Sequence, residues 1–224
     1  MIVHELEPIV LIGGASLNNR DLDACLKHAT RVVAADGGAL NSIKNGITPD
    51  AVIGDMDSIS AEILRQIPQD RIHPVTEQDS TDFDKALRNI SAPLVLGVGF
   101  TGGRVDHELA CYHAMLMHAD RRCLLVGESD LVFVAPPELT LPLAPGTRVS
   151  LFPLAAVTGR SDGLRWPIEG LEFCPDGKIG TSNMATGEVT LRWQQPGMLV
   201  ILPRDCLDTV VRALEAQSGS WPAL

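Results

Sequence analysis

Short apolar runs alternate with helical patterns over the first 130 residues of this 224-residue chain. Each run is rich in Val, Ile and Leu, and Gly, Pro or Asp residues bound it. Runs that are apolar on both faces are typical of central parallel strands covered by helices. The predicted strands lie in PIVLIGG from Pro8, RVVAADGG from Arg31, DAVIGDMDS from Asp50, RIHPV from Arg71, PLVLGVG from Pro93 and RCLLVGE from Arg122.

Helices are predicted between these strands. Asn19, Ser60 and Thr81 are suited to begin helices, because their side-chain oxygens accept hydrogen bonds from the first free N–H groups. A further helical pattern begins at Val105. Strands that alternate with helices predict an α/β domain with a mainly parallel sheet.

The pattern changes near Pro136. Beyond it, Pro, Gly and Thr interrupt short alternating runs, and a final amphipathic stretch reads DCLDTVVRALEAQ. Such runs predict a smaller antiparallel β-sandwich that ends in a helix. We therefore expect an α/β catalytic domain over residues 1–135 and a β-sandwich domain over residues 136–224.

Composition excludes several classes of function. Lys and Arg number 18 against 28 Asp and Glu, a formal charge of -10, whereas a protein that grips nucleic-acid phosphates needs the opposite sign. The five cysteines form no C-x-x-C pair, which disfavours a disulfide framework and a thiolate zinc site. No apolar stretch reaches ~18 residues and no basic leader opens the chain. We expect a cytoplasmic protein that binds neither nucleic acid nor a membrane.

Aspartates follow the predicted strands at several points along the chain. In an open parallel sheet the carboxyl ends of the strands line one crevice, and ligands bind there. We therefore expect these side chains to converge in space. They are Asp36, Asp55, Asp57, Asp79, Asp82 and Asp106.

Converging carboxylates need a cation. Two of them ~5 Å apart repel by roughly 3 kcal/mol at an effective dielectric constant of ~20. Because the neighbouring His and Cys residues do not suggest a soft-metal site and no calcium-loop motif is present, the oxygen ligands favour Mg²⁺. Mg²⁺ usually combines one or two carboxylates with phosphate oxygens, so the sequence predicts a phosphate-bearing substrate.

Basic and glycine-rich segments support that prediction. Lys85 and Arg88 lie one turn apart on the helix that Asp82 opens, where both can meet phosphates, and Arg104 follows a Gly-Gly pair. Gly13 and Gly14 end the first strand, where backbone amides can face phosphates. Taken singly, each of these residues is more often a cap, a turn or a solvated side chain, and only their joint occurrence at the strand ends favours a site. No Walker A motif or G-x-S-x-G elbow is present.

Four motifs in order resemble the thiamine pyrophosphokinase family. They are DGGAL from Asp36, PDAVIGDMDS ending at Ser58, QDSTDFDKAL from Gln78 and GGRVDHELA from Gly102. The resemblance implies an α/β catalytic domain, a β-sandwich that helps to bind thiamine, and a homodimer. It also implies transfer of pyrophosphate from ATP to the thiamine hydroxyl with Mg²⁺, giving thiamine diphosphate and AMP.

Site residues carry over from the resemblance position by position. It implies that Asp55, Asp57 and Asp82 hold the metal and, with Arg104, act in catalysis; Asp82 is our choice for the group that deprotonates thiamine. GLRW, ending at Trp166, and TSN, from Thr181, resemble the thiamine-side motifs. The remaining expected binding residues are Asp36, Gln78, Asp79, Lys85, Asp106, Trp166, Ser182 and Asn183.

Three other functions stay open at this point. They are a pyrophosphokinase acting on a pterin alcohol, a Mg²⁺-dependent nucleotide phosphohydrolase, and a non-catalytic sensor of thiamine or nucleotide. The GLRW and TSN segments favour thiamine over a pterin. Formation of AMP only in the presence of thiamine would separate the kinase from the phosphohydrolase and the sensor.

Overall fold

The computed structural model describes residues 1–217 and 219–223 and divides the chain into two compact units. Unit 1 contains Met1–Ala114 and Leu125–Glu128; unit 2 contains Met115–Leu124 and the described chain from Ser129 onward. Among the described residues, every helix is too short or too polar to cross a lipid bilayer.

Unit 1 alternates strands and helices. Its strands are β1 (Val3–His4), β2 (Ile9–Ile12), β3 (Arg31–Ala35), β4 (Ala51–Gly54), β5 (Ile72–Pro74), β6 (Ile90–Ser91) and β7 (Val95–Val98). Its helices are α1 (Asn19–Leu26), α2 (Gly38–Lys44), α3 (Ala61–Leu64) and α4 (Asp82–Arg88), with a 3₁₀ turn at Gln69–Arg71. Two further elements contain residues of both units, namely α5 (Val105–Met117) and β8 (Cys123–Val126).

The main sheet of unit 1 is parallel, with the strand order β7-β2-β3-β4-β5. Successive strands add on one side of β2 as far as β5, and the chain then returns to place β7 on the other side. The order therefore reverses at β2, which makes its carboxyl end the topological switch point of the sheet, where ligands bind in open α/β folds. The short strands β1 and β6 pair separately, also in parallel.

The inner strands of this sheet are buried on both faces, as their unbroken apolar composition requires, whereas the edge strand β5 is partly exposed. All four residues of β2, of β4 and of β7 are buried. Helices supply the covering layers; α4, for example, buries Phe83 and Leu87. A mixed α/β architecture is thus confirmed.

Two of the three predicted helix caps are confirmed. Ser60 and Thr81 cap α3 and α4 as predicted, each accepting a backbone N–H through its hydroxyl oxygen. The cap predicted at Asn19 is wrong by one position, because the side chain of Asn18 accepts the hydrogen bond from Arg20. Helix α2 was not predicted: Gly37 and Gly38, which stand at its start, indicated a turn, and packing outweighs the weak helix propensity of glycine.

Unit 2 is built largely from antiparallel strands. They are β9 (Asp130–Val134), β10 (Glu138–Leu141), β11 (Arg148–Pro153), β12 (Val157–Leu164), β13 (Glu172–Phe173), β14 (Gly180–Trp193) and β15 (Met198–Pro203). A 3₁₀ turn at Arg204–Cys206 leads into the terminal helix α6 (Leu207–Glu215), which the amphipathic pattern predicted.

The 14-residue strand β14 organises this unit. Its first part pairs with β11, while its second part lies between β10 and β12. The register with β11 shifts between Val149 and Leu151, which marks a bulge opposite the start of β14. Trp193 and Trp221 are buried, and the indole N–H of Trp221 donates to the carbonyl oxygen of Ala135.

Candidate active site

A cavity of about 680 Å³ lies at the carboxyl ends of the parallel strands of unit 1. Its walls come from the segments that follow β2, β3, β4, β5 and β7, the edge at which the sequence placed the ligand crevice. The predicted site residues that line it are Asp55, Asp57, Gln78, Asp82, Lys85 and Arg104. Asp36, Asp79 and Asp106 are not among its lining residues.

Three carboxylates cluster at this edge. One oxygen from each of Asp36, Asp55 and Asp57 lies within 4.8 Å of the other two, a spacing at which a single cation can bind all three. Sequence reasoning chose Asp82 as the third member of this set, but the cluster contains Asp36 instead. Asp36 follows β3 and Asp55 follows β4, and these strands are hydrogen-bonded neighbours, whereas Asp82 projects from α4.

Asp36 is the buried member of the cluster. It is fully buried, adopts a left-handed φ of 37°, and leaves no room for a side chain at Gly54, whose Cβ would lie 2.6 Å from that of Asp36. One carboxylate oxygen accepts a hydrogen bond from the Ser58 backbone N–H, while Oδ1 is buried without a hydrogen-bond partner among the described residues. Burial raises the pKa of this carboxyl, and the charges of Asp55 and Asp57 raise it further.

A left-handed residue also shapes the loop after β4. Met56 has a φ of 68°, which costs a non-glycine residue of the order of 1–3 kcal/mol. In this turn the Asp57 backbone N–H donates to Asp55, and the Ser58 hydroxyl donates to Asp57. The strained turn is thus where the two carboxylates of the D-x-D motif come close enough to share a cation.

Lys85 is the cation that the protein itself supplies. Its side chain is 2% exposed, and Nζ lies 2.7 Å from Asp55 Oδ2 and 3.4 Å from Asp82 Oδ1. Although burial disfavours the ammonium, the two carboxylates outweigh it and raise the pKa of Lys85. The same contact lowers the pKa of Asp55, whose Oδ2 also accepts a 3.3 Å hydrogen bond from the Gln78 side chain.

Asp82 differs from Asp55 in its surroundings. It opens α4 directly after the Thr81 cap, and its side chain is 37% exposed towards the cavity. Partial burial and the nearby charge of Asp36 raise its pKa, and the contact with Lys85 offsets only part of this effect. A carboxylate with a raised pKa at the edge of a cavity is suited to accept a proton.

Backbone lines the cavity at the switch point. A Cβ at Gly13 would lie 2.4 Å from the carbonyl oxygen of Gly99, and Gly99 has a φ of 74°. The Asn41 side chain donates to the carbonyl oxygens of Gly13 and Ala15, which fixes the loop after β2. The two loops therefore approach more closely than side chains would allow, leaving backbone open to a ligand.

Arg104 stands at the exposed rim. Its guanidinium donates through Nε and Nη2 to the two carboxylate oxygens of Asp106, at 3.1 and 2.5 Å. Both side chains are well exposed, at 70% and 64%. The loop before them is fixed by Glu108, which accepts a hydrogen bond from the Gly102 backbone N–H.

An apolar wall completes the cavity, and sequence reasoning missed it. Phe83 and Phe100 meet edge to face with ring centroids 4.8 Å apart, and Leu40 is partly exposed beside the same space. Phe83 is on α4 and Phe100 follows β7. No local pattern distinguishes such residues from ordinary core positions, because their meeting depends on the fold.

The other predicted site residues lie in unit 2. Asn183 is buried, and its side chain bonds both backbone polar groups of Trp166: Oδ1 accepts from the N–H at 3.2 Å, and Nδ2 donates to the carbonyl oxygen at 2.7 Å. Trp166 is 52% exposed, with the Arg165 guanidinium 4.9 Å from its ring centroid. Ser182 is exposed, with a left-handed φ of 62°, and its N–H donates to the Ser150 hydroxyl.

A second cavity lies in unit 2 and contains none of the predicted site residues. Its volume is about 670 Å³, and residues of β12 and β14 line it together with the loop before β13. Arg192 on this surface is paired with Glu138 and Asp162. Its lining shows no carboxylate cluster of the kind found in unit 1.

We predict that Lys85→Met destabilises the fold by about 3–5 kcal/mol, because it leaves Asp55 as a buried charge without its partner. Urea unfolding followed by circular dichroism measures the change. Arg31→Met is the matched control, since it breaks the half-exposed Arg31–Asp50 pair at the opposite end of the sheet and should cost no more than about 1 kcal/mol. Equal losses in the two variants would contradict a special role for the buried pair.

The comparisons with known proteins agree with this geometry. A family model described as "Thiamin pyrophosphokinase, catalytic domain" matches residues 22–126. Thiamine pyrophosphokinase 1 of Arabidopsis thaliana is 28% identical over 196 residues, covering 72% of this chain and 73% of that protein. The thiamine pyrophosphokinase of Bacillus subtilis is 31% identical over 106 residues, covering 45% of this chain and 50% of its own length.

Solved structures show the same fold. The thiamin pyrophosphokinase of Geobacillus thermodenitrificans aligns with a TM-score of 0.70 and 25% identity, covering 88% of this chain and 96% of that one. The Candida albicans enzyme aligns with a TM-score of 0.73 and 17% identity, covering 90% and 92%. The order of the four motifs, the carboxylate edge, the matching family model and these relatives lead to one conclusion: residues 22–126 match the catalytic domain of the thiamine pyrophosphokinase family, and the chain is similar to members of that family over most of its length.

Proposed function

We propose that the carboxylate cavity of unit 1 is where this chain carries out the reaction of its family, the transfer of pyrophosphate from ATP to the hydroxyl group of thiamine. The products are thiamine diphosphate and AMP. The observation that carries this assignment is the cluster of Asp36, Asp55 and Asp57 beside the buried Lys85. It provides a concentration of negative charge and a fixed cation in one cavity, as a metal–polyphosphate complex requires.

The donor set of the cluster fits Mg²⁺. All three groups present carboxylate oxygens, the ligands that this ion prefers. The buried Oδ1 of Asp36, which lacks a hydrogen-bond partner among the described residues, supports a bound cation, because a buried polar atom is costly when unpaired. The cluster would hold Mg²⁺ through its carboxylate oxygens, and the ion would supply charge neutralisation for the phosphates of the substrate. We assign the ion to the cluster of Asp36, Asp55 and Asp57, with Asp82 nearby.

Other residues of the cavity suit the triphosphate. We assign Arg104 to the phosphates, where a planar guanidinium binds two oxygens at once. Asp106, which receives both of its hydrogen bonds in this structure, holds that guanidinium in place. The backbone at Gly13 and Gly99 allows close approach of the chain to the phosphates. Lys85, whose ammonium lies 2.7 Å from the Asp55 carboxylate, adds a positive charge to the same cavity.

The reaction itself needs in-line geometry and one proton acceptor. The thiamine oxygen forms a bond to the β-phosphorus of ATP, and the bond from that phosphorus to the bridging oxygen of AMP breaks. We assign removal of the hydroxyl proton to Asp82, because its raised pKa and its exposure to the cavity suit a general base. Positioning and charge neutralisation supply most of the remaining acceleration.

We assign thiamine recognition to Gln78 and Asp79 in unit 1 and to residues of the second domain. In this proposal residues 1–135 form the catalytic domain, and residues 136–224 form a β-sandwich that binds thiamine. The exposed ring of Trp166 offers a stacking surface. Ser182 offers a hydroxyl directly before Asn183, whose side chain bonds the Trp166 backbone. The family resemblance also supports a homodimer.

Product analysis tests the proposed function. Purified protein is incubated with ATP, Mg²⁺ and thiamine, and nucleotides and thiamine esters are separated by chromatography. We expect AMP and thiamine diphosphate in equal amounts, and no AMP when thiamine is left out. Formation of AMP without any acceptor would indicate a phosphohydrolase instead, and no AMP under either condition would indicate a binding protein.

We predict that Asp55→Asn or Asp57→Asn lowers turnover at least ~100-fold, the scale on which loss of one preorganised electrostatic contact acts. Circular dichroism should show that both variants remain folded, with Asp55→Asn less stable than Asp57→Asn because it leaves the buried Lys85 with Asp82 alone. Glu62→Gln, a charge change of the same kind on the outer helix α3, is the control and should leave turnover unchanged. Near-normal turnover in both aspartate variants would refute their assignment to the metal.

We predict that Asp36→Asn stabilises the metal-free protein at pH 7 and abolishes its stabilisation by Mg²⁺. A carboxyl whose pKa is raised on folding contributes stability below its unfolded pKa, and this contribution is lost as the pH rises through the folded value. At pH 7 the folded protein therefore bears the cost of a buried carboxylate at Asp36. Asparagine removes this cost because it is uncharged, but it cannot supply a charged ligand to the ion. Thermal unfolding with and without Mg²⁺ measures both effects; at 100 times its Kd the ion should add about 2.7 kcal/mol to the unsubstituted protein. An equal response of both proteins to Mg²⁺ would exclude Asp36 from the ion's environment.

A further inference from the structure

The loop between β5 and α4 carries two of the proposed thiamine contacts. It runs from Val75 to the cap residue Thr81 as irregular backbone and contains Gln78 and Asp79. Gln78 lines the cavity, and its side chain reaches Asp55. Irregular segments such as this hold one conformation only when side chains fix them.

Glu77 fixes this loop from within. Its Oε2 accepts a 2.9 Å hydrogen bond from the Asp79 backbone N–H, and its Oε1 accepts a 2.5 Å hydrogen bond from the Ser80 hydroxyl. Both bonds join Glu77 to residues that follow Gln78. The Glu77 carboxylate therefore closes a short hydrogen-bonded loop that contains Gln78. Gln78 is thereby held at the apex of a tight loop rather than on a free strand of backbone.

Arg88 ties the same carboxylate to α4. Its Nη2 lies 2.5 Å from Glu77 Oε1, and its Nη1 lies 3.6 Å from Asp84 Oδ2 one helical turn earlier. The side chain is 35% exposed and does not line the cavity, so its charge serves these carboxylates and not a ligand. Sequence reasoning paired Arg88 with Lys85 as a phosphate cation, and the structure gives the two residues different partners.

The charge of Glu77 persists at any pH used for enzyme assays. The Ser80 hydroxyl is the main cause, followed by Arg88 and the Asp79 N–H against the opposing effect of burial, and together they lower its pKa to about 2. A carboxyl whose pKa is lowered on folding contributes stability above its unfolded value and loses it only as the pH falls through the folded value. The anchor is thus permanent and not a pH switch.

We propose that Glu77 and Arg88 are positioning residues, which lock the Gln78 loop onto α4 so that Gln78 faces the cavity in the conformation that receives thiamine. This inference rests on the proposed function for the identity of the ligand. It extends that function to two residues that touch neither substrate nor metal. Because α4 also carries Asp82 and Lys85, the anchor fixes the thiamine side and the metal side of the site to one rigid element.

Kinetics of matched variants test the proposal. Glu77→Gln and Arg88→Met should each raise KM for thiamine about tenfold, the cost of one charge-assisted hydrogen bond, while kcat stays close to that of the unsubstituted enzyme. The double variant should be no worse than the poorer single variant, because the two residues act as a unit. Arg88→Lys, which keeps the charge, should recover part of the loss. Arg31→Met, which breaks an ion pair outside the cavity lining, should leave KM unchanged.

A second measurement does not depend on the reaction. Hydrogen exchange at the Asp79 backbone amide should be about tenfold faster in Glu77→Ala than in the unsubstituted protein, since its acceptor has been removed. Lower stability with an unchanged KM and unchanged exchange would overturn the proposal and leave the pair a purely structural role. If the unsubstituted protein forms no thiamine-dependent AMP, the proposed function fails, and the exchange measurement alone then decides whether Glu77 holds the loop.

Discussion

The contact between Lys85 and Asp55 is the interaction on which the site of unit 1 depends. Several carboxylates at one edge of a sheet repel one another, and an apolar interior magnifies that repulsion. A buried ammonium 2.7 Å from the central carboxylate offsets one negative charge and leaves the others in excess. Lys85 thus neutralises part of the negative charge in the cavity, and the remaining negative charge is available to a bound cation.

The surrounding structure serves to place these charges. Adjacent parallel strands bring Asp36 and Asp55 side by side, and the left-handed turn at Met56 brings Asp57 to the same place. The Thr81 cap begins α4 at the point from which Asp82 and Lys85 extend one turn apart. Local strain at Asp36 and Met56 is tolerated because the packed sheet beneath them is stable.

Sequence patterns located the strands, the caps of α3 and α4 and the carboxylates at the strand ends, since each depends on local chemistry. They could not show which carboxylates share a cation, because that depends on which strands are neighbours. Lys85, taken alone, has the pattern of a solvated helix residue, and only the fold reveals its burial. Glu77 had no signal at all: its three hydrogen bonds arise from the path of the loop and from Arg88 eleven residues later.

The exposed side chain of Trp166 in unit 2 makes ligand binding there observable by tryptophan fluorescence. Of the three tryptophans in the chain, Trp193 and Trp221 are buried, whereas Trp166 is half exposed and rests against a guanidinium. An aqueous quencher such as iodide or acrylamide would therefore reach one emitting ring far more readily than the other two. The native chain carries its own optical reporter, without any label, in the GLRW segment that resembles the thiamine-side motif.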